Sequence, residues 1–433
     1  MAVRRKKRIL CFVGGLLLVV ALLVVLENRG LAPAWFRLGK AGQETWRRAT
    51  GSQRPPDSKR SEKRIRAEAE EWYARIIATH PEMAVAYKDV PNEQNGFLQW
   101  QLFLDRCSAN GALDLPEDIT KMMDSPEAWD LKRFSEWLAQ HQEIIEEITA
   151  LGFLPDQSVK GMDAWKLGFS SARPKGIATR LLLACARLSM EQGDQAAALR
   201  YLRSTMGSAN HFEKIETPSL LDETVSTLMR LRTQHFALDI LSSGTALSPE
   251  DLRNWQKVIA IGPASPKDLA HVQKGEWHVS TRTLALPYLL GSPAMSGLDV
   301  SEKIPLDPEA FIDASIDQSR GWSRQISDAT LTDLTTIEIT STPPENLSPE
   351  SAKLLEMMAA GTYTWIRGWA RAQIEQLQVQ AAFAVALGDE IPIEPISGKP
   401  FVFDPATGTV TMPGNPPPGR FELSPMKVPG IGK

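Results

Sequence analysis

Cysteine and histidine are scarce in this chain, with three Cys and six His among 433 residues. The cysteines form no C-x-x-C pair, so a zinc-ribbon or thioredoxin-type motif is excluded. Cys11 lies in an apolar run. Cys107 and Cys185 are far apart in sequence, and spacing leaves open whether they pair or remain two buried thiols, the plainer reading. His271, Glu276 and His278 in "HVQKGEWH" are the one histidine cluster. On a continuous helix the two imidazoles lie about 10 Å apart, too far to share a metal ion. No G-x-S-x-G, H-E-x-x-H, Walker loop or dinucleotide fingerprint occurs. The sequence therefore names no catalytic, cofactor-binding or metal-ligating residue, and no cofactor is expected.

Net positive charge is missing from most of the chain. The formal net charge is −4, yet residues 1–30 carry +5 and residues 31–66 carry +7, which leaves −16 on 67–433. An acidic body on a basic stalk is a poor ligand for nucleic acid, whose phosphates need a cationic face.

Long apolar runs are absent with one exception. "RRKKR" at 4–8 precedes Ile9–Leu26, eighteen residues without a charge. At about 1.5 Å per residue they cover roughly 27 Å, a bilayer core. The run exceeds a signal-peptide core, and Ala32-Pro33-Ala34 lies well beyond it, so an uncleaved signal anchor is expected over a cleaved leader. The basic block before the run places the N-terminus inside and the body outside the inner membrane. The expected organisation is a basic cytoplasmic tail at 1–8, a transmembrane anchor at 9–26 and a basic juxtamembrane linker at 27–60. A helical domain at 61–388, a terminal β-hairpin module at 389–412 and a Pro-rich flexible tail at 413–433 follow.

The body reads as helix after helix. "EKRIRAEAEEWYARIIA" at 62–78 is dense in helix formers. Phe97, Trp100 and Leu104 mark a stripe ending near Asn110-Gly111, and Trp129 to Ile148 another, ended by Gly152 and Pro155. Asn92 in "VPNEQNG" is the expected N-cap of the helix that follows. In "RLLLACARLSMEQGDQAAALRYLRSTM", 180–206, two apolar stripes flank Gly193-Asp194, which is the pattern of an α-hairpin. Helices are expected near 217–241, 248–260, 265–289 and 307–325, and a long one runs from Pro349 toward Gly388. Its stripe of Ile366, Ala370, Ile374, Leu377, Ala381 and Ala384 adjoins Trp365 and Trp369, read as core before ligand platform. Pairs such as Glu70/Glu71 and Glu146/Glu147 read as solvated helix faces. "PFVFDPATGTVTM" then changes period: Lys399–Phe403 and Thr409–Met412 are expected to pair through a Pro405–Gly408 turn. A lone hairpin is marginal in water, so Phe401 or Phe403 should pack on the helices. The fold class expected is all-α: an irregular antiparallel helical array with one transmembrane helix and a small C-terminal β-hairpin.

Several of these pieces in order resemble a family of signal-anchored, exported, all-helical bacterial proteins of uncharacterised function. They are "VPNEQNG" at 90–96, the hairpin at 180–199, "TPSLLDE" at 217–223, "KGEW" at 274–277 and "IPIEPISGKPFVF" at 391–403. "GDQAAAL" is also similar to a tetratricopeptide turn, without a second copy at a 34-residue period. In the resembled family the ending reads Pro-Asp-Pro-x-Ser/Thr-Gly-Lys-Pro; here Glu394 replaces the Asp. Asp404 and Glu422 are almost the only later carboxylates, too few for calcium. The ending is distantly similar to a pseudopilin hairpin, but Ile9–Leu26 lacks a pilin's processing site and early acidic residue.

The resemblance and the missing catalytic motifs imply a membrane-anchored binding or scaffold protein whose partner is another envelope protein or a wall component. The alternatives are a hydrolase of polysaccharide or peptide with paired carboxylates in an inter-helix groove, and a secretion-apparatus component.

Overall fold

The computed structural model describes residues 62–163, 172–243, 247–286, 308–338, 347, 351–352, 355–356, 362–414 and 423–430. The anchor and linker expected at 1–60 lie outside them. Among the described residues no helix is long and apolar enough to cross a membrane.

Helices dominate, and their ends follow local chemistry. α1 is Glu62–Thr79 and α2 is Gly96–Asn110, closed by Gly111 at φ 69°, a conformation that favours glycine. α3 (Glu117–Asp124) and α4 (Leu131–Gln140) follow, and Asp130 caps α4 by accepting from Arg133 N. α5 spans Gln142–Leu151. The single helix expected across Trp129–Ile148 is thus two, broken at His141. There the imidazole stacks on Trp137 at 4.4 Å, and its Nδ1 donates to the Trp137 carbonyl (2.8 Å). α6 (Ala172–Glu191) and α7 (Gln195–Glu213) form the expected hairpin. Gly193 turns at φ 80° and Asp194 caps α7 through Ala197 N. α8 is Leu220–Ser243, α9 Pro249–Ile259 and α10 Pro266–Ser280, which runs into a π-helix at Thr281–Ala285. α11 (Pro308–Asp328), the short α12 (Leu331–Leu334) and α13 (Thr362–Leu387) complete the set.

Two compact units form, each from segments interleaved along the chain. The first takes the described residues within Met1–Ala84, Trp277–Ser319 and Ile339–Thr364. Its core joins Ala69 and Ile76 of α1 to Trp277, Phe311, Ile312 and Ile316.

The second unit takes the described residues within Val85–Glu276, Arg320–Glu338 and Trp365–Lys433, and has two cores. One gathers Trp100, Phe103, Phe134, Ile148 and Phe212 around Leu181 and Cys185 of α6. The other gathers Leu183, Leu202, Leu238, Trp255, Ile374 and Phe383. Helix α6 feeds both, which explains why "LLLACA" is apolar on every side. Cys107 and Cys185 are free thiols, both buried, and burial pushes the Cys185 thiol up.

The ending differs from expectation in register and extent. β1 (Ile393–Glu394) pairs with β2 (Lys399–Pro400), so Lys399 belongs to a first, separate hairpin. β3 (Val402–Asp404) pairs with β4 (Thr409–Thr411), and β4 pairs in turn with β5 (Met426–Lys427). Residues 423–430 are therefore structured where a flexible tail is expected: Leu423, Met426 and Val428 are buried in the second core. The sheet needs them because β4 would otherwise present an open edge. Phe401 is buried there as well, and Gln378 of α13 donates to Val410 O and Ser424 O. Burying one such Phe contributes about 2–3 kcal/mol.

Both turns of this module use one device. In "EPISG" the Glu394 carboxylate accepts from Ile396 N and Ser397 N (2.7 Å each). In "DPATG" the Asp404 carboxylate accepts from Ala406 N (2.9 Å) and Thr407 Oγ1 (2.8 Å). Gly398 and Gly408 close the turns at φ 67° and 66°. The Glu394 side chain reaches the turn amides, as that of Asp404 does in its own turn, so Glu394 serves as a turn brace.

Candidate functional site

Two of the short motifs, and residues 274–276 of a third, lie inside the second unit. In "VPNEQNG" the helix cap is Asn95, correcting the expectation for Asn92, which opens a separate 3₁₀ turn. Asn95 Oδ1 accepts from Leu98 N (3.2 Å) and Ser158 N (3.1 Å), and its Nδ2 donates to Ser158 O (2.8 Å). One buried amide thus caps α2 and clamps the 156–159 strand-like segment. Gly96 beside it leaves no room for a side chain: a Cβ would lie 2.4 Å from His211 Nε2. That nitrogen bonds Leu151 O (3.1 Å), and burial pushes the imidazole down to about 4, so it is neutral at pH 7. Asn95→Ala should cost about 2–3 kcal/mol, read by urea unfolding at unchanged helicity.

"TPSLLDE" and "KGEW" meet at the start of α8. Ser219 and Asp222 form a reciprocal cap: Ser219 N and Oγ donate to Asp222 Oδ2 (3.1 and 2.7 Å), and Asp222 N donates back to Ser219 Oγ (3.1 Å). Glu276 of α10 accepts from Leu220 N (2.8 Å), another orphan amide of that first turn. Gly275 permits this approach, since a Cβ there would lie 2.2 Å from Pro218 O. The other Asp222 oxygen faces Lys175 Nζ at 3.9 Å, and both side chains are 95% buried. Lys175 also lies 3.8 Å from the Phe212 ring centre. Burial, partly offset by Asp222, holds the Lys175 ammonium down to about 8, and burial pushes Asp222 up.

The next residue, Glu223, is 97% buried. Its Oε1 accepts from Trp369 Nε1 (2.8 Å) and Thr227 Oγ1 (3.2 Å), while Oε2 has no partner among the described residues. Trp365 Nε1 donates to Thr224 Oγ1 (2.8 Å). The two Trp four residues apart therefore pin α13 to α8. Arg230 of α8 ion-pairs with Glu213 and bonds Asn210, both on α7. Burial first, and the Glu213 carboxylate second, push the Glu223 carboxyl up to about 8 against the Trp369, Arg230 and Thr227 contacts.

Periodicity in the sequence hides this interior. Ser219, Asp222, Glu223, Ser226, Arg230, Thr233 and Gln234 repeat at helical spacing and read as a wet face, yet all are buried. Val225, Met229 and Leu238 of the same helix are buried too, so both its polar and its apolar residues turn inward and periodicity does not mark which of them meet water.

The other sequence candidates are dispersed. Glu146 pairs with Arg200 and Glu147 with Arg106 on the surface, and Glu70 pairs with Arg282 in the first unit. His271 bonds Ile215 O (3.2 Å), and His278 Nδ1 shares a 2.7 Å hydrogen bond with the Tyr73 hydroxyl. Among the described residues no three His, Cys, Asp or Glu stand where they could hold a metal ion. Glu422 lies outside the described residues. A cleft of about 300 Å³ opens where the α2–α3 loop meets the α4–α5 corner, lined by Asp114, Trp137, Gln140, His141 and Glu143.

Comparison of the chain with protein-family models, with curated proteins and with solved structures finds no match.

Proposed function

We propose that this chain is a membrane-anchored, exported helical scaffold that binds another envelope protein or a wall component. The observation that carries the reading is the basic block and uncharged run at 4–26 ahead of a body carrying −16. The build of that body supports it. Its Trp pair, its caps and its buried ion pairs all serve to fix helices, which is the demand on a rigid recognition surface. The hydrolase alternative has one specific location, the cleft carrying Asp114 and Glu143. Loss of a hydrolytic activity in both Asp114→Asn and Glu143→Gln would favour it over the scaffold.

Protease added to intact spheroplasts should digest the body and leave a short N-terminal fragment in the membrane pellet. A protected body, or a full-length chain in the soluble fraction, would overturn the anchored, outward-facing reading. Crosslinking of the full chain in spheroplasts should then trap one discrete adduct that resists competition by unrelated envelope protein.

A further inference from the structure

Helices α8 and α13 are joined at both ends of their contact by groups that change charge. At one end Glu223 holds the Trp369 indole N–H, with Thr224 holding that of Trp365. At the other, His235 Nε2 lies 2.7 Å from Glu375 Oε1 of α13. The charged groups facing Glu223 are Glu213 of α7 and Arg230 of α8, and Arg230 already pairs with Glu213. Those facing His235 are Glu375 and, one turn along α8, Asp239.

Geometry sets opposite costs for the two states. With Glu223 protonated, Oε1 keeps its Trp and Thr donors and no net charge is buried. With Glu223 ionised, Oε2 is an anionic oxygen without a donor, sealed from water beside the Glu213 carboxylate. Relief requires water, and water enters if α13 moves off α8. His235 acts in the same sense. Its cation adds charge pairing to the hydrogen bond with the Glu375 carboxylate, and losing the proton removes that pairing while the hydrogen bond remains.

We propose that the α8–α13 contact is a proton-controlled latch, closed when Glu223 and His235 are protonated and loosened as both lose their protons. The direction follows from linkage. A carboxyl that holds its proton more tightly when folded stabilises fully below its unfolded value near 4.5, and loses that contribution as pH rises toward 8. Burial lowers the His235 proton affinity, but the Glu375 bond and charge outweigh it, so this contact too is lost upward. The imidazole is 45% exposed, so solvent screens the pair and it adds little beside Glu223. The latch is independent of the scaffold reading.

Hydrogen exchange of the full chain, followed at the amides of 365–376 and corrected for intrinsic base catalysis, tests it. Between pH 6 and pH 9 exchange in the wild type should speed up about tenfold or more. Glu223→Gln, which keeps an acceptor for Trp369 but carries no charge, should reduce that response to about threefold or less. Glu213→Gln removes the opposing charge and frees Arg230 to pair with the Glu223 carboxylate, so ionisation costs less and the pH response should shrink. A flat wild-type profile would overturn the latch, as would an unchanged response in Glu223→Gln. If Glu223→Gln does not fold, the Glu213→Gln arm decides, and an undiminished response there sinks the proposal.

Discussion

Gly207→Ala should destabilise the second unit by about 3 kcal/mol or more, although alanine is the better helix former by about 1 kcal/mol. Gly207 lies inside α7, and a Cβ there would sit 1.9 Å from Gly152 O. The converse holds at Gly152, where a Cβ would meet Ser204 O at 2.0 Å. The two backbones touch, with Ser204 Oγ donating to Thr149 O (2.8 Å) in the same crossing. Neither obstacle is a flexible side chain, so the helices must separate to admit a methyl group. Gly368→Ala is the control. It too is within a helix, α13, but a Cβ there meets nothing within 4 Å, so the substitution should gain about 0.5–1 kcal/mol. Urea midpoints of the two variants should move in opposite directions. A stabilising Gly207→Ala would show that the crossing yields easily and that propensity alone decides.

Arg230→Met should cost about 3–5 kcal/mol, because it strands the Glu213 carboxylate without its cation. Arg230 is 93% buried, so the loss is not diluted by solvent as in a surface pair. Adding Glu213→Gln should recover most of it, leaving the double variant within about 1–2 kcal/mol of the wild type. The double-mutant cycle separates an ion pair from the packing of the Arg stem. If the second substitution recovers nothing, the stem is what matters and the charge argument fails.

How far the letters foretold this structure depends on what buried each residue. Helices whose buried face is apolar were legible: Ile65, Ala69 and Ile76 on α1, the α6–α7 hairpin with its Gly193-Asp194 turn, and Ile366 to Ala384 on α13. Phe401 was legible as a docking residue for the same reason. α8 was found as a helix but its inward face was not, since Asp222, Glu223 and Arg230 are held by partners far away in sequence, at Lys175, Trp369 and Glu213. Asn92 and Asn95 are equally good caps by type, and only the approach of Ser158 decides between them. The strand at 426–427 is too short to carry a pattern. The acid-Pro-x-hydroxyl-Gly repeat at 394–398 and 404–408, by contrast, is plain in the sequence once the two turns are seen to be alike.

The packing of Leu423, Met426 and Val428 against residues such as Leu183, Leu238 and Trp255 bears on how the chain is made. Gly430 N even donates to Leu241 O, at 2.9 Å. A ribosome that has finished α9 has produced one side of this core but not the other, and about 170 residues must still be added. At 5–20 residues per second that is a wait of roughly 10–30 seconds with Trp255 and its neighbours uncovered. A chain built this way has reason to meet a holdase during synthesis, and its second core can close only after residue 428 has emerged.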